Sequence, residues 1–140
     1  MKRTATAAWN GSGKEGTGNL TTQSTTLNKA NYSYKTRFEE GVGTNPEELI
    51  AAAHAGCYTM ALAFALQGAG FTADSLETTS TVTLDPSSGT PTITQSALVL
   101  KAKIPGITKE KFQELAKGAE QGCPVSRVLK AEITLDATLL

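Results

Sequence analysis

The sequence predicts an α+β fold. Threonine accounts for 21 of the 140 residues, and β-branched residues favour strands. An Ala-rich apolar stretch with helix-start signals divides the Thr-rich segments into two groups. The resulting order is strands, a long helix, strands, two helices and a strand, so strands and helices do not alternate one for one.

The first strand covers residues 2–9 and ends at Asn10-Gly11, a turn dipeptide. Further strands fall at 18–27 and 32–38. The long helix follows, with Asn45 as N-cap, Pro46 in the first helical position and Glu47 and Glu48 in the first turn. It runs to about Gln67 and stops at Gly68-Ala69-Gly70. Strands at 75–85 and 92–103 come next. A second helix is capped by Thr108 and runs from Lys109 to Gln121, with Phe112, Leu115, Ala116 and Ala119 as its apolar stripe. Gly122 ends it. A short third helix has Cys123 at its N-cap and Pro124 after it, and reaches Leu129. The last strand, 132–139, places Ile133, Leu135, Ala137 and Leu139 on one face.

Residues 1–140 read as one domain, a normal size for a single compact core. The composition, 39% hydrophobic and 19% charged, supports such a core. Thirteen basic residues balance thirteen acidic ones, which argues against a nucleic-acid surface or a polybasic membrane patch and permits self-association. Met1-Lys2-Arg3 is not followed by an apolar signal-peptide core, so the expected location is the cytoplasm. The two cysteines are then expected as free thiols. Leu49 to Leu66 carries no formal charge, and at about 1.5 Å per residue it spans roughly 27 Å. Its alanines, with His54, Gly56, Tyr58 and Thr59 inside it, point to the buried centre of a soluble fold rather than to a membrane span.

Gly11-Ser12-Gly13-Lys14-Glu15-Gly16 matches GxGxxG, but a strand-like segment follows where dinucleotide binding needs a helix. It reads as a hairpin loop, and no cofactor is expected. Two cysteines and one histidine are too few for a persuasive metal site. Cys57 lies among small and soft neighbours on the long helix, the setting of a buried thiol acting as a small hydrophobe. Cys123 lies at a helix start, where the dipole and unpaired N–H groups favour a thiolate, so local sequence ranks it the more acidic thiol. His54 precedes Cys57 by three residues and shares its helix face, which fits either a Cys–His nucleophile pair or a satisfied core histidine. Arg37 and the carboxylates of Glu39, Glu40, Glu47 and Glu48 crowd the start of the long helix. They form either a solvated turn or an Arg–carboxylate pair able to bind an oxygen anion and lower a thiol's pKa.

Three segments together carry a resemblance. They are Thr36-Arg37-Phe38-Glu39, the run from Gly43-Thr44-Asn45-Pro46-Glu47 through His54-Ala55-Gly56-Cys57, and Gly122-Cys123-Pro124-Val125-Ser126. Their order and spacing, with Val128 to Leu135 after them, closely resemble the OsmC/Ohr family of thiol peroxidases over essentially the whole chain. The Arg in Thr-Arg-Phe-Glu resembles the OsmC branch in particular.

The resemblance implies an OsmC-like fold of mostly antiparallel sheets wrapped around long central helices, in an intertwined homodimer. It implies that Cys57 attacks the peroxide and becomes a sulfenic acid, and that Cys123 condenses with it to a disulfide. Arg37 would stabilise thiolate and peroxide, and Glu47 would hold Arg37. The implied substrates are organic hydroperoxides and, more weakly, hydrogen peroxide. The implied reductant is a dithiol or a lipoylated protein. This reverses the local ranking of the thiols, since a formal charge near a buried Cys57 outweighs a half-charge dipole. Phe38, Tyr58, Met60 and Phe64 are candidates for an apolar mouth or for core packing.

Glu47 and Cys57 are ten residues apart on one helix, roughly 15 Å along its axis. Either Arg37 bridges that distance or a second subunit contributes. Two rival readings remain. One is a Cys–His acyl hydrolase using Cys57 and His54, and the other is a redox sensor or apolar-ligand carrier without turnover.

Overall fold

The computed structural model describes residues 1–140 as two compact units, Met1–Leu49 and Ile50–Leu140. In the first unit, β1 (Ala5–Asn10), β2 (Thr17–Thr22) and β3 (Ala30–Ser33) form an antiparallel sheet in that order. Asn10 pairs with Thr17, so residues 11–16 are the hairpin loop expected of the glycine-rich motif. Trp9 and Tyr32 pack tilted rings 5.3 Å apart over Gly18, where any Cβ would collide with the Tyr32 ring.

Two sequence expectations fail in this unit. The strand expected at 18–27 stops at Thr22, because residues 22–27 close a turn. The Thr22 N–H donates to the Leu27 carbonyl at 2.9 Å, and Thr25 adopts a φ of 61°. The strand expected at 32–38 stops at Ser33, and α1 (Tyr34–Phe38) takes over. Ser33 and Thr36 form a reciprocal capping box, with the Thr36 N–H donating to Ser33 Oγ at 3.2 Å and the Ser33 N–H to Thr36 Oγ1 at 2.9 Å. That local pair outweighs the strand preference of Tyr34, Thr36 and Phe38. Gly43, at a φ of 137°, then turns the chain so closely against the Asn31 carbonyl that no side chain fits.

The long helix α2 (Pro46–Gly68) begins in the first unit and lies mostly in the second. Asn45 caps it, its Oδ1 accepting from the Glu48 N–H at 2.8 Å. His54, Tyr58, Leu62 and Leu66 recur every four residues as its buried stripe. The expectation of a helix buried all round is not met within one chain. Met60 is 60% and Phe64 67% exposed, and only 22% of the helix's most apolar 18-residue stretch is buried.

In the second unit β4 (Ser75–Asp85) pairs antiparallel with β5 (Thr92–Lys103), and β5 pairs parallel with β6 (Glu132–Leu139). A parallel neighbour needs a crossover connection. Here the crossover carries α3 (Lys109–Gly122) and α4 (Pro124–Val128). Thr108 caps α3, accepting from the Lys111 N–H at 3.2 Å. The core joins the α2 stripe to Leu98, Leu100 and Ala102 of β5 and to Phe112, Ala116 and Ala119 of α3. Ile133, Leu135, Ala137 and Leu139 of β6 pack against it, as their alternation predicts.

Candidate active site

Cys57, in the middle of α2, and Cys123, between α3 and α4, are 66 residues apart in sequence, and their sulfurs stand 3.1 Å apart. Both are free thiols, Cys57 half-buried and Cys123 wholly buried. Burial pushes the Cys57 thiol up, and the Cys123 thiol beside it adds to that. The Val125 N–H opposes the rise without cancelling it. Burial also opposes ionisation of Cys123, but the Ser126 N–H, the Cys57 thiol, the Ser126 hydroxyl and the Val125 N–H together pull it below the usual thiol range.

His54 does not pair with Cys57. It is fully buried, with Nδ1 2.6 Å from Ser96 Oγ and Nε2 2.8 Å from Ser126 Oγ. Ser96 Oγ lies 3.1 Å from Ser80 Oγ in turn. Burial pulls the His54 pKa down and keeps the ring neutral. With both ring nitrogens engaged by serines, the acyl hydrolase loses its general base. The alternative of a satisfied core histidine describes His54 correctly.

Arg37 and Glu47 form the planar Arg–carboxylate pair, both in the first unit. Arg37 Nη2 donates to Glu47 Oε1 at 2.8 Å, and Nε lies 3.1 and 3.3 Å from the two carboxylate oxygens. Glu47 is held in the first turn of α2 and is nearly buried, while the Arg37 side chain keeps 38% of its surface exposed. Its guanidinium lies 5.3 Å from the centre of the Phe38 ring. A cavity of about 140 Å³ opens beside it, lined by Trp9, Tyr32, Tyr34 and Phe38. No group of three or more His, Cys, Asp and Glu side chains is placed to hold a metal.

The OsmC-like protein family model matches residues 39–138, well over half of the chain. Peroxiredoxin OsmC of Escherichia coli K12 is 50% identical over 133 residues, 95% of this chain and 93% of that one. The chain belongs to the OsmC family. The organic hydroperoxide resistance protein of Xanthomonas axonopodis is a further relative, 35% identical over 103 residues, 71% of this chain and 68% of its own. An OsmC-like protein from Vibrio cholerae superposes with a TM-score of 0.78 over 99% of both chains at 14% identity, a likeness of fold alone. The α+β, OsmC-like architecture expected from the sequence is thereby met.

The four site residues singled out in the sequence thus assemble as two pairs, Arg37 with Glu47 and Cys57 with Cys123. Arg37 lies just outside the stretch that the family model matches. Of the apolar candidates, Tyr58 is core and Phe38 lines the cavity at Arg37, while Met60 and Phe64 face outward. Sequence reasoning missed Ser96 and Ser126. Ser126 stood in the quoted Cys-Pro-Val-Ser motif, one helical turn after Cys123, and Ser96 carried no signal at all.

Proposed function

We propose that this protein is a cysteine-based peroxidase that reduces organic hydroperoxides, and hydrogen peroxide more weakly, to alcohols and water. The observation that supports it most is the pair of free thiols 3.1 Å apart in a chain 50% identical to a peroxiredoxin. The Cys57 thiolate attacks the outer peroxide oxygen. The O–O bond breaks, the alkoxide leaves and takes a proton, and Cys57 becomes a sulfenic acid. The Cys123 sulfur then attacks the Cys57 sulfur. The S–O bond breaks, hydroxide leaves as water, and a disulfide remains. A dithiol, either a small molecule or a lipoylated protein, restores both thiols by exchange.

Cys57 needs a cation to ionise, since burial and Cys123 both oppose it. We assign that charge to Arg37, oriented by Glu47 and contributed by the same chain or by a second copy. The aromatic cavity beside Arg37 suits the hydrocarbon part of an organic hydroperoxide. A homodimer fits the surfaces left open. Ala53, Gly56, Met60, Ala63 and Phe64 make an exposed apolar seam on α2, and the first unit buries no large apolar side chain. Residues 1–140 are read as one functional domain, working in the cytoplasm, where the thiols stay reduced.

A steady-state assay with cumene hydroperoxide and dithiothreitol tests the reading. Turnover is expected, and Cys57→Ser is expected to abolish it in a folded protein. Residual activity above about a tenth of wild type would remove Cys57 from the attacking role.

A further inference from the structure

The glycine-rich hairpin loop, residues 11–16, is fastened in place. The Ser12 carbonyl accepts from the Gly16 N–H at 2.9 Å and from the Trp9 indole N–H at 3.2 Å, and Ser12 Oγ accepts from the Glu15 N–H at 3.2 Å. Gly16 sits so close that a Cβ there would collide with the Ser12 carbonyl and the Trp9 ring. The loop is thereby tied to Trp9, and its Gly13 joins Trp9 on the wall of the cavity beside Arg37. Next to Gly13, Lys14 reaches over the Tyr34 ring, with Nζ 5.8 Å from its centre. The Tyr34 ring lies 4.9 Å from the Phe38 ring, and the Arg37 guanidinium lies 5.3 Å from Phe38. A cation thus sits against each member of the Tyr34–Phe38 pair. Arg37 already holds the Glu47 carboxylate, whereas Lys14 takes part in none of the chain's ion pairs. No carboxylate lines the cavity.

We infer that this loop selects the substrate: Lys14 binds a carboxylate on the hydrocarbon part of the hydroperoxide, so that anionic organic hydroperoxides are preferred to neutral ones of the same shape. This rests on the peroxidase reading above, with Arg37 at the peroxide end. The hydrocarbon then lies along Phe38 and Tyr34, and the carboxylate meets Lys14 at Tyr34. A lysine suits that place, because its ammonium is a compact donor on a flexible stem and can meet carboxylates at more than one distance from the peroxide. The carboxylate takes no part in breaking the O–O bond and Lys14 touches no reacting atom, so the gain lies in binding. The attraction is between exposed groups, hence modest and screened by salt. Hydrogen peroxide offers neither hydrocarbon nor carboxylate and gains nothing from the loop.

The test compares two probes, cumene hydroperoxide bearing a para-carboxylate and the methyl ester of the same compound, with dithiothreitol as reductant. The quantity read is the ratio of their kcat/KM values in one and the same protein, which a folding defect does not move. Wild type should prefer the acid about threefold, in the range of an exposed ion pair, and the difference should lie in KM. Lys14→Gln should remove the preference and Lys14→Glu should reverse it. Lys14→Arg, which keeps the charge, should retain it. Raising salt from about 0.05 to 0.5 M should weaken the wild-type preference. A wild type that turns over acid and ester equally overturns the inference and leaves the peroxidase reading standing. So does a preference for the acid that survives in Lys14→Gln. Turnover of neither probe overturns the peroxidase reading first, and the inference with it.

Discussion

The sulfurs of Cys57 and Cys123 lie 3.1 Å apart, and neither thiol is bonded. A disulfide needs about 2.0 Å, so closing the bond takes a movement of roughly 1 Å, within reach of side-chain rotation. The two thiols therefore stand within reach of the disulfide proposed above.

Cys123→Ser separates the two steps. The first oxidation should survive, and Cys57 should stop at sulfenic acid or proceed to sulfinic acid, because nothing nearby condenses with it. Mass spectrometry after one equivalent of peroxide should find added oxygen on the Cys57 peptide. An unmodified peptide would contradict the two-step scheme.

Arg37→Lys keeps the charge and loses the planar fork that binds Glu47 through Nε and Nη2. The ammonium should sit away from its productive place and the Cys57 thiol pKa should rise. A tenfold loss of thiolate corresponds to about 1.4 kcal/mol. The variant should be slow at neutral pH and recover in part as rising pH restores thiolate. The pH profile of the first oxidation decides the matter. Coincident rates at every pH would take Arg37 out of the chemistry.

Phe64→Glu should break the proposed homodimer without unfolding the chain, since Phe64 is 67% exposed and lies outside the core. A carboxylate in an apolar seam has no partner there and resists burial. Sedimentation velocity should give twice the chain mass for wild type and a single chain for the variant. A monomeric wild type would leave the apolar face of α2 unexplained.

The stability of the fold should fall as pH drops below neutrality. Burial holds the His54 pKa below its ordinary value of 6.5. The unfolded chain therefore binds the proton more readily, and stability declines as pH falls through that ordinary value towards the lower folded one. Urea midpoints at about pH 7.5 and 5.5 should show the drop. An unchanged midpoint would mean that His54 takes up its proton inside the folded network.

Local signals were legible in the sequence. Asn45-Pro46, Thr108 and Cys123-Pro124 each mark a helix start within a few residues, and the structure places α2, α3 and α4 there. Tyr34 to Phe38 misled because its residue types favour strands, while the Ser33–Thr36 capping box acts through two specific hydrogen bonds that composition does not reveal. An Arg–carboxylate pair was legible as one of two readings of the local residues, but the pairing of the two cysteines was legible only through resemblance. Cys57 meets Cys123 across 66 residues and His54 meets Ser96 across 42, distances over which no periodicity in the sequence operates. Ser96 lies in the strand expected at 92–103 with nothing to single it out, yet it is fully buried.

The parallel pairing of β5 with β6 places Cys123 on the chain between two strands that become neighbours only when β6 has docked. The two thiols are 66 residues apart, so their meeting closes a long loop. A chain made only as far as α2 carries Cys57 without Cys123. In the scheme proposed above, peroxide reaching such a chain would meet Cys57 with no Cys123 to resolve it.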